Sequence, residues 1–393
     1  MRSSVVVLAL AVGLVACGGG GSTPSSDAPD AEAATEQQPP MAPSSSSTPA
    51  TPSVPSPGGR LPLPAGSSDA GRGDGAAPQL DHTRCGWIGP ADDAGAAQFA
   101  AHADWFSWVH PDWYAMGTDG VSLRTLTGAD SPVVLQAAAA HGVRVAPMIA
   151  GADGSDVPIS AMEAMLSDPT ARAQHVQNIV QLATSHGYAG IDIDYEHMWT
   201  SADRPGFTAF IQELAAAMHA AGLQASMAIP ALYQDDGNNA YDYVPLSGAL
   251  DVLHVMAYDF HSIGTHAGPV SPLGWVDAVA AYAATTGHVE RFILGMPNYG
   301  VTPTWYGTLS DCATVCGPGY ATTTDHMATC PFGNFAAGRA PNCTSPNGDL
   351  FFDDLGSLEE KVQVARSRGL RGVTYWTIGG EPPGFFEMVR TYY

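Results

Sequence analysis

Ile191-Asp192-Ile193-Asp194-Tyr195-Glu196 is the stretch that decides the fold of this chain. Three carboxylates alternate with two isoleucines and a tyrosine. Side chains of a strand alternate between its faces, so Asp192, Asp194 and Glu196 share one face and Ile191, Ile193 and Tyr195 the other. Alternate acids lie about 6.6 Å apart along a strand and disfavour one another's ionisation. Aspartate is depleted from strands and like charges on one face are costly, so ordinary folding does not produce the pattern. Two compensations are open: a bound metal ion, or an acid/base catalytic site.

Working outward, short apolar runs alternate with amphipathic segments from about residue 82 to the C-terminus. Strands are predicted at 84–88, 105–108, 143–149, 190–195, 224–229, 252–258, 292–296 and 372–377. Helices are predicted around 170–186, 204–221, 272–286 and 357–368. Ser131-Pro132, Asp168-Pro169 and Ser271-Pro272 read as a cap followed by an N1 proline. His141-Gly142, His186-Gly187 and Ala221-Gly222 read as stops. Eight strands alternating with helices predict an α/β fold, a (β/α)8 TIM barrel. A doubly wound open sheet is the alternative, but no Gly-rich phosphate turn follows an early strand. In a barrel, functional groups gather at the C-terminal strand ends. Glu196, the pair Tyr258-Asp259 and Trp376 all fall there.

Outside this region the chain changes character. Arg2 precedes an apolar run from Val5 to Ala16 that is too short to span a bilayer and suits an export signal. Leu14-Val15-Ala16-Cys17 is similar to a bacterial lipobox. It implies a signal over 1–16, a lipidated Cys17, and a membrane-anchored lipoprotein on the outer membrane or cell surface; a plain secreted form is the alternative. Residues 17–81 contain no Phe, Trp or Tyr and are rich in Ser, Pro, Ala and Gly, which predicts a disordered tether. The folded part is then 82–393. Net charge is −23, and Lys361 is the only lysine. That balance leaves no basic patch for nucleic acid. The expectation is a monomer that meets the membrane only through its anchor.

The residues around the acidic run resemble glycoside hydrolase family 18, the chitinase-like family. Its signature D-G-x-D-x-D-x-E is matched by Ala189-Gly190-Ile191-Asp192-Ile193-Asp194-Tyr195-Glu196, with Ala189 in place of the first aspartate. Met256-Ala257-Tyr258-Asp259 resembles the family's M-x-Y-D, and Gly295-Met296-Pro297-Asn298-Tyr299-Gly300 its G-x-P-x-Y-G. Gly372 to Trp376, with Gly379-Gly380-Glu381, resembles the segment of the eighth strand. The third-strand S-x-G-G is absent; Met148-Ile149-Ala150-Gly151 stands there. The resemblance implies a retaining hydrolase of β-linked N-acetylglucosamine polymers that uses the substrate's own acetamido group as nucleophile, an exception to the two-carboxylate rule. It implies Glu196 as general acid, Asp194 as the group holding the acetamido, Asp192 as a buried support sharing charge with Asp194, and Tyr258 as a hydroxyl donor to the acetamido carbonyl. Trp376, Asp259, Met256 and Tyr299 are implied to contact substrate. Chitin or chitooligosaccharide is the first substrate expectation, peptidoglycan the next, and a non-catalytic glycan-binding lectin the alternative. No cofactor is implied.

Aromatic residues at or beyond the predicted strand ends, namely Trp87, Trp113, Tyr114, Trp199, Tyr233, Tyr299, Trp305 and Trp376, suit stacking on a pyranose, and Trp113 is expected in the sugar groove. His197, His254, His261 and His266 read as surface or satisfied core histidines. No metal site is expected. Cys312, Cys316, Cys330 and Cys343 lie in one Gly/Pro/Thr-rich insertion, about 302–354, between the seventh and eighth strands. In an exported chain they predict two disulfides, with connectivity open and a four-cysteine zinc site as the alternative. Cys85 is left as a buried thiol at the first strand.

Overall fold

The computed structural model describes residues 83–151, 158–196, 200–265, 267–308, 312, 316, 321–325, 338–345 and 348–393. The expected signal, Cys17 and tether lie outside the described residues. From Thr83 the chain builds a ring of eight parallel strands: Trp87–Ile88, Trp108–Met116, Met148–Ala150, Gly190–Asp194, Gln224–Pro230, Val252–Met256, Phe292–Pro297 and Gly372–Trp376. The ring closes where Arg84 bridges Val373 in parallel. There the Cys85 amide donates to the Val373 carbonyl at 3.2 Å and the Ile378 amide to the Trp87 carbonyl at 2.8 Å. This is the (β/α)8 barrel expected from the alternation of elements.

Helices form where the sequence caps them. Pro169–His186 opens on Asp168, whose side chain accepts from the Thr170 amide at 2.8 Å, with Pro169 in the first turn. It ends on Gly187, whose φ of 71° is left-handed backbone that a side chain resists. Pro272 itself is the cap of Leu273–Ala284, one residue later than the Ser271-Pro272 reading placed it.

The fourth strand shows why the alternation matters. Ile191, Ile193 and Tyr195 are buried against the helices. Tyr195 stacks on Phe210, centroids 5.6 Å apart, and its hydroxyl meets His175 Nε2 at 2.5 Å. That packing fixes the register, and a one-residue slip would put three carboxylates into the helix layer. Asp192 and Asp194 therefore face the inside of the ring.

Two expectations are corrected. The second strand is not 105–108: Ala103–Trp105 is a short 3-10 turn and the strand runs Trp108–Met116, buried throughout. Pro111 reads as a strand breaker, yet it sits where the strand pairs with Ile88 in a fully buried parallel ladder. The described residues of the insertion are also largely strand. They contain a five-stranded antiparallel sheet in the order Trp305–Thr308, Tyr299–Thr302, Gly348–Phe351, Gly338–Ser345, Ala321–Asp325. That sheet starts at Tyr299, directly after the seventh barrel strand. Its return is anchored by Lys361 in the helix Leu355–Arg368, whose ammonium meets Asp353 at 2.5 Å with both side chains buried.

Candidate active site

The inward face of the ring carries two tiers of polar groups. In the lower tier, Asp192 accepts from Trp87 Nε1 at 2.9 Å, from Ser226 Oγ at 2.6 Å and from His254 Nδ1 at 3.1 Å. Each donor comes from a different strand. Burial works to raise the Asp192 pKa, but the two histidines His254 and His110, with the Ser226 hydroxyl, hold it well below the usual carboxylate range. Asp192 is an ionised carboxylate with its lone pairs answered.

Asp194, two residues on, moves the other way. Burial first, then the charges of Glu196, Asp112 and Asp192, push it well above the ordinary value. Of the two, Asp194 is the one that burial and like charge bias toward its protonated form, while the three donors around Asp192 stabilise its anion. Glu196 lies just past the strand, at the C-terminal mouth, and is half-buried. Its pKa rises from 4.5 to about 7, through burial and then the charge of Asp259. A carboxyl poised there can donate a proton near neutrality.

Tyr258 and Asp259 follow the sixth strand, Val252–Met256. Burial, then the charges of Asp194, Asp259, Glu196 and Asp192, keep Tyr258 a neutral phenol. Its hydroxyl is thus a donor in the midst of the acids. Asp259 holds left-handed backbone, φ 60°, unusual for a side-chain residue. It accepts the Tyr299 hydroxyl at 2.5 Å. Burial raises Asp259 and that bond opposes the rise. Trp376 ends the eighth strand and packs with Met256 and Tyr258 on a small apolar cluster of Trp87, Met148 and Ala228. That cluster is an aromatic floor beneath the acids, with Trp376 and Trp87 centroids 6.2 Å apart.

The sequence-predicted residues divide accordingly. Glu196, Asp194, Asp192, Tyr258, Asp259, Met256, Tyr299 and Trp376 are brought to one end of the ring or its interior. Trp113 is not: it is 3% exposed and packs against Tyr188 in the helix layer. Tyr114 likewise bonds Tyr188 through its hydroxyl at 2.8 Å. Both were misplaced because the second strand was expected to end before them. Trp199, His197 and His266 lie outside the described residues. His254 is inside the barrel rather than on its rim, and the His261 ring bonds the Pro269 carbonyl. Of the four insertion cysteines, Cys316 and Cys343 are bonded, Cα atoms 5.6 Å apart. Cys312 is buried, and Cys330 lies outside the described residues.

Sequence reasoning missed Asp112. It lies inside the second strand, 7% exposed, and burial, opposed by Arg124, raises its pKa to about 7. The signal was present: His110 and Asp112 stand two apart in an apolar run, as Asp192 and Asp194 do. Tyr306 of the insertion was also missed. Its ring is 6.3 Å from that of Tyr299, and the charge of Asp259 reaches it.

Comparison with known proteins agrees with this architecture. A model of glycosyl hydrolases family 18 matches residues 131–381, more than half of the chain. The cortical fragment-lytic enzyme of Bacillus subtilis (strain 168) is 25% identical over 230 residues, covering 55% of this chain and 52% of that protein. A class V chitinase of Arabidopsis thaliana is 24% identical over 264 residues, 56% of this chain and 66% of the other. The chain spans about half the length of the first curated relatives it matches. Among solved structures, a class V chitininase from Pseudomonas fluorescens Pf-5 superposes with a TM-score of 0.68 at 22% identity, covering 79% of this chain and 98% of that one. This last likeness is one of fold.

Proposed function

The chain belongs to glycosyl hydrolases family 18, and from that premise we propose that it hydrolyses β-linked N-acetylglucosamine chains with retention, by substrate assistance. The observation that carries this reading is the opposed state of three neighbouring acids. Its neighbours hold Asp192 well below the ordinary carboxylate range, while burial pushes Asp194 well above it and Glu196 to about 7. Glu196 would protonate the glycosidic oxygen as the bond breaks. Asp194, carrying its proton, and the Tyr258 hydroxyl would hold the substrate's acetamido group so that its carbonyl oxygen attacks the anomeric carbon. The positive charge that develops on the acetamido is met by the nearby Asp192 anion. Water then opens the cyclic ion, with Glu196 taking the proton back. The sugar ring would rest on Trp376.

Chitooligosaccharide is the substrate we propose first. Peptidoglycan glycan is a second reading, favoured by similarity to the cortical fragment-lytic enzyme. Tyr299 and Tyr306, at the root of the insertion, would border the groove and select between them. We further propose an exported, lipid-anchored enzyme, which requires that fatty-acid labelling be lost in Cys17→Ala. The test of the activity is Glu196→Gln on a chitotriose reporter. Loss of general-acid catalysis is expected to lower kcat by about 10²–10⁴-fold while binding persists. Wild type releasing nothing from chitin oligomers or from muropeptides would overturn the proposal, and a Glu196→Gln protein as active as wild type would overturn the role of that residue.

A further inference from the structure

Beneath Asp192, on the side away from the mouth, three buried side chains converge: Cys85 of the segment leading into the first strand, His110 of the second strand and His254 of the sixth. Their potential ligand atoms all lie within 4.8 Å of one another. The two imidazoles are 4.6 Å apart between centroids and tilted by 60°. The proposed sugar chemistry uses neither Cys85 nor His110, and uses His254 only as a donor to Asp192.

The hydrogen bonds fix which nitrogen each ring offers. His110 Nδ1 lies 3.0 Å from the Ala146 carbonyl, which can only accept, so Nδ1 carries the hydrogen. His254 Nδ1 lies 3.1 Å from an Asp192 carboxylate oxygen, the same arrangement. In the neutral rings the lone pair is on Nε2. A ring whose far N–H is tied to a carbonyl or a carboxylate is the arrangement that orients metal-binding histidines. Here two such rings stand beside a thiol.

The geometry points to a buried zinc site formed by Cys85 Sγ, His110 Nε2 and His254 Nε2. One thiolate and two imidazoles form a soft-to-borderline donor set, which suits zinc and does not suit magnesium or calcium. Bonds of about 2.0 Å to nitrogen and about 2.3 Å to sulfur set ligand atoms roughly 3.3–3.5 Å apart around a tetrahedral ion. The widest separation therefore shortens by up to about 1.5 Å on binding. Binding displaces the thiol proton to solvent and changes no oxidation state. The Cys85 thiolate supplies one of the charges that balance the zinc dication. The ion would enter as the ring closes, because one ligand lies on the segment leading into the first strand and none of the three is at the surface.

The experiment is zinc analysis of the full chain after refolding with zinc and a thiol reductant, followed by exchange into cobalt(II). The expected result is about one zinc per chain, a thiolate-to-cobalt near-ultraviolet absorption band, and loss of both in Cys85→Ser with the far-ultraviolet circular dichroism of wild type. X-ray absorption on the wild-type zinc form is expected to show one sulfur and two imidazole scatterers, and this reading stands whether or not the variant folds. Folded wild type that retains no zinc and gives no cobalt band overturns the inference. So does an oxygen-only shell, a Cys85→Ser protein that keeps its full zinc, or copper retained in place of zinc.

Discussion

Replacing Asp259 by Asn should move the alkaline limb of the pH–rate profile downward. Glu196 stands at about 7 against an ordinary 4.5, with burial the larger cause and the Asp259 charge the second. Less than half of that gap belongs to Asp259, so removing its charge should bring Glu196 down by about one pH unit, equivalent to about 1.4 kcal/mol. The sign follows from the role: the acid must be protonated, so activity is full below its pKa and falls as pH rises through it. Wild type should lose kcat above about pH 7 and Asp259→Asn above about pH 6, which is about tenfold in relative rate on the alkaline side. Asn keeps an oxygen to accept the Tyr299 hydroxyl and tolerates the left-handed backbone found at this position. The geometry is thus preserved while the charge goes. The assay is kcat and kcat/KM for a chitotriose reporter from pH 4 to 9, each profile normalised to its own plateau so that position, not height, is read. An alkaline limb that stays put or moves upward would refute the assignment of that limb to Glu196 under the influence of Asp259.

Three further outcomes follow from the packing. Lys361→Ala strands the buried Asp353 carboxylate and should cost about 3–5 kcal/mol in urea unfolding, whereas the double replacement Lys361→Met with Asp353→Leu should recover most of it; equal losses would mean the pair is not coupled. Opening the Cys316–Cys343 bridge, which spans 27 positions, should destabilise the insertion by about 3.5 kcal/mol on loop entropy, seen as earlier proteolysis of the insertion, and unchanged proteolysis would contradict it. Gly151→Ala would set a Cβ 2.9 Å from both Tyr195 Cα and Tyr195 Cδ1; displacement of the residue preceding Glu196 should lower kcat more than it changes KM, and a loss confined to KM would count against it.

How much was legible in the sequence depended on whether a local pattern was enough to place a residue. The fourth strand could be read because its two faces differ so sharply: Ile191, Ile193 and Tyr195 go to the helices and the acids to the ring, and no other register buries the apolar set. Helix starts such as Asp168-Pro169 could be read because capping is a local transaction between a side chain and an amide two residues on. The second strand could not, because the neighbours that stabilise it are remote. His110-Pro111-Asp112 looks like a turn in isolation and becomes strand only when the first and third strands flank it, and Trp113 and Tyr114 moved from groove to core with it. Asp112 was lost for the same reason. The insertion's sheet was hidden by its Gly, Pro and Thr content, since antiparallel pairs there depend on partners such as Asn342 and Phe351 that sequence order does not bring together. The opposed pKa shifts of Asp192 and Asp194 were beyond reach from spacing alone, because they follow from burial and from groups on other strands: His254, His110 and Ser226 around Asp192, and Asp112 beside Asp194.

The shortest strand of the ring has an outsized consequence. Trp87–Ile88 joins the last strand to the second, and the Trp87 indole is also one of the three donors to Asp192. The event that seals the circle is therefore the event that completes the anion's cradle. A chain whose N-terminal strand is undocked lacks that donor to Asp192. Opening the ring at this seam would therefore cost the site a hydrogen bond as well as a strand contact.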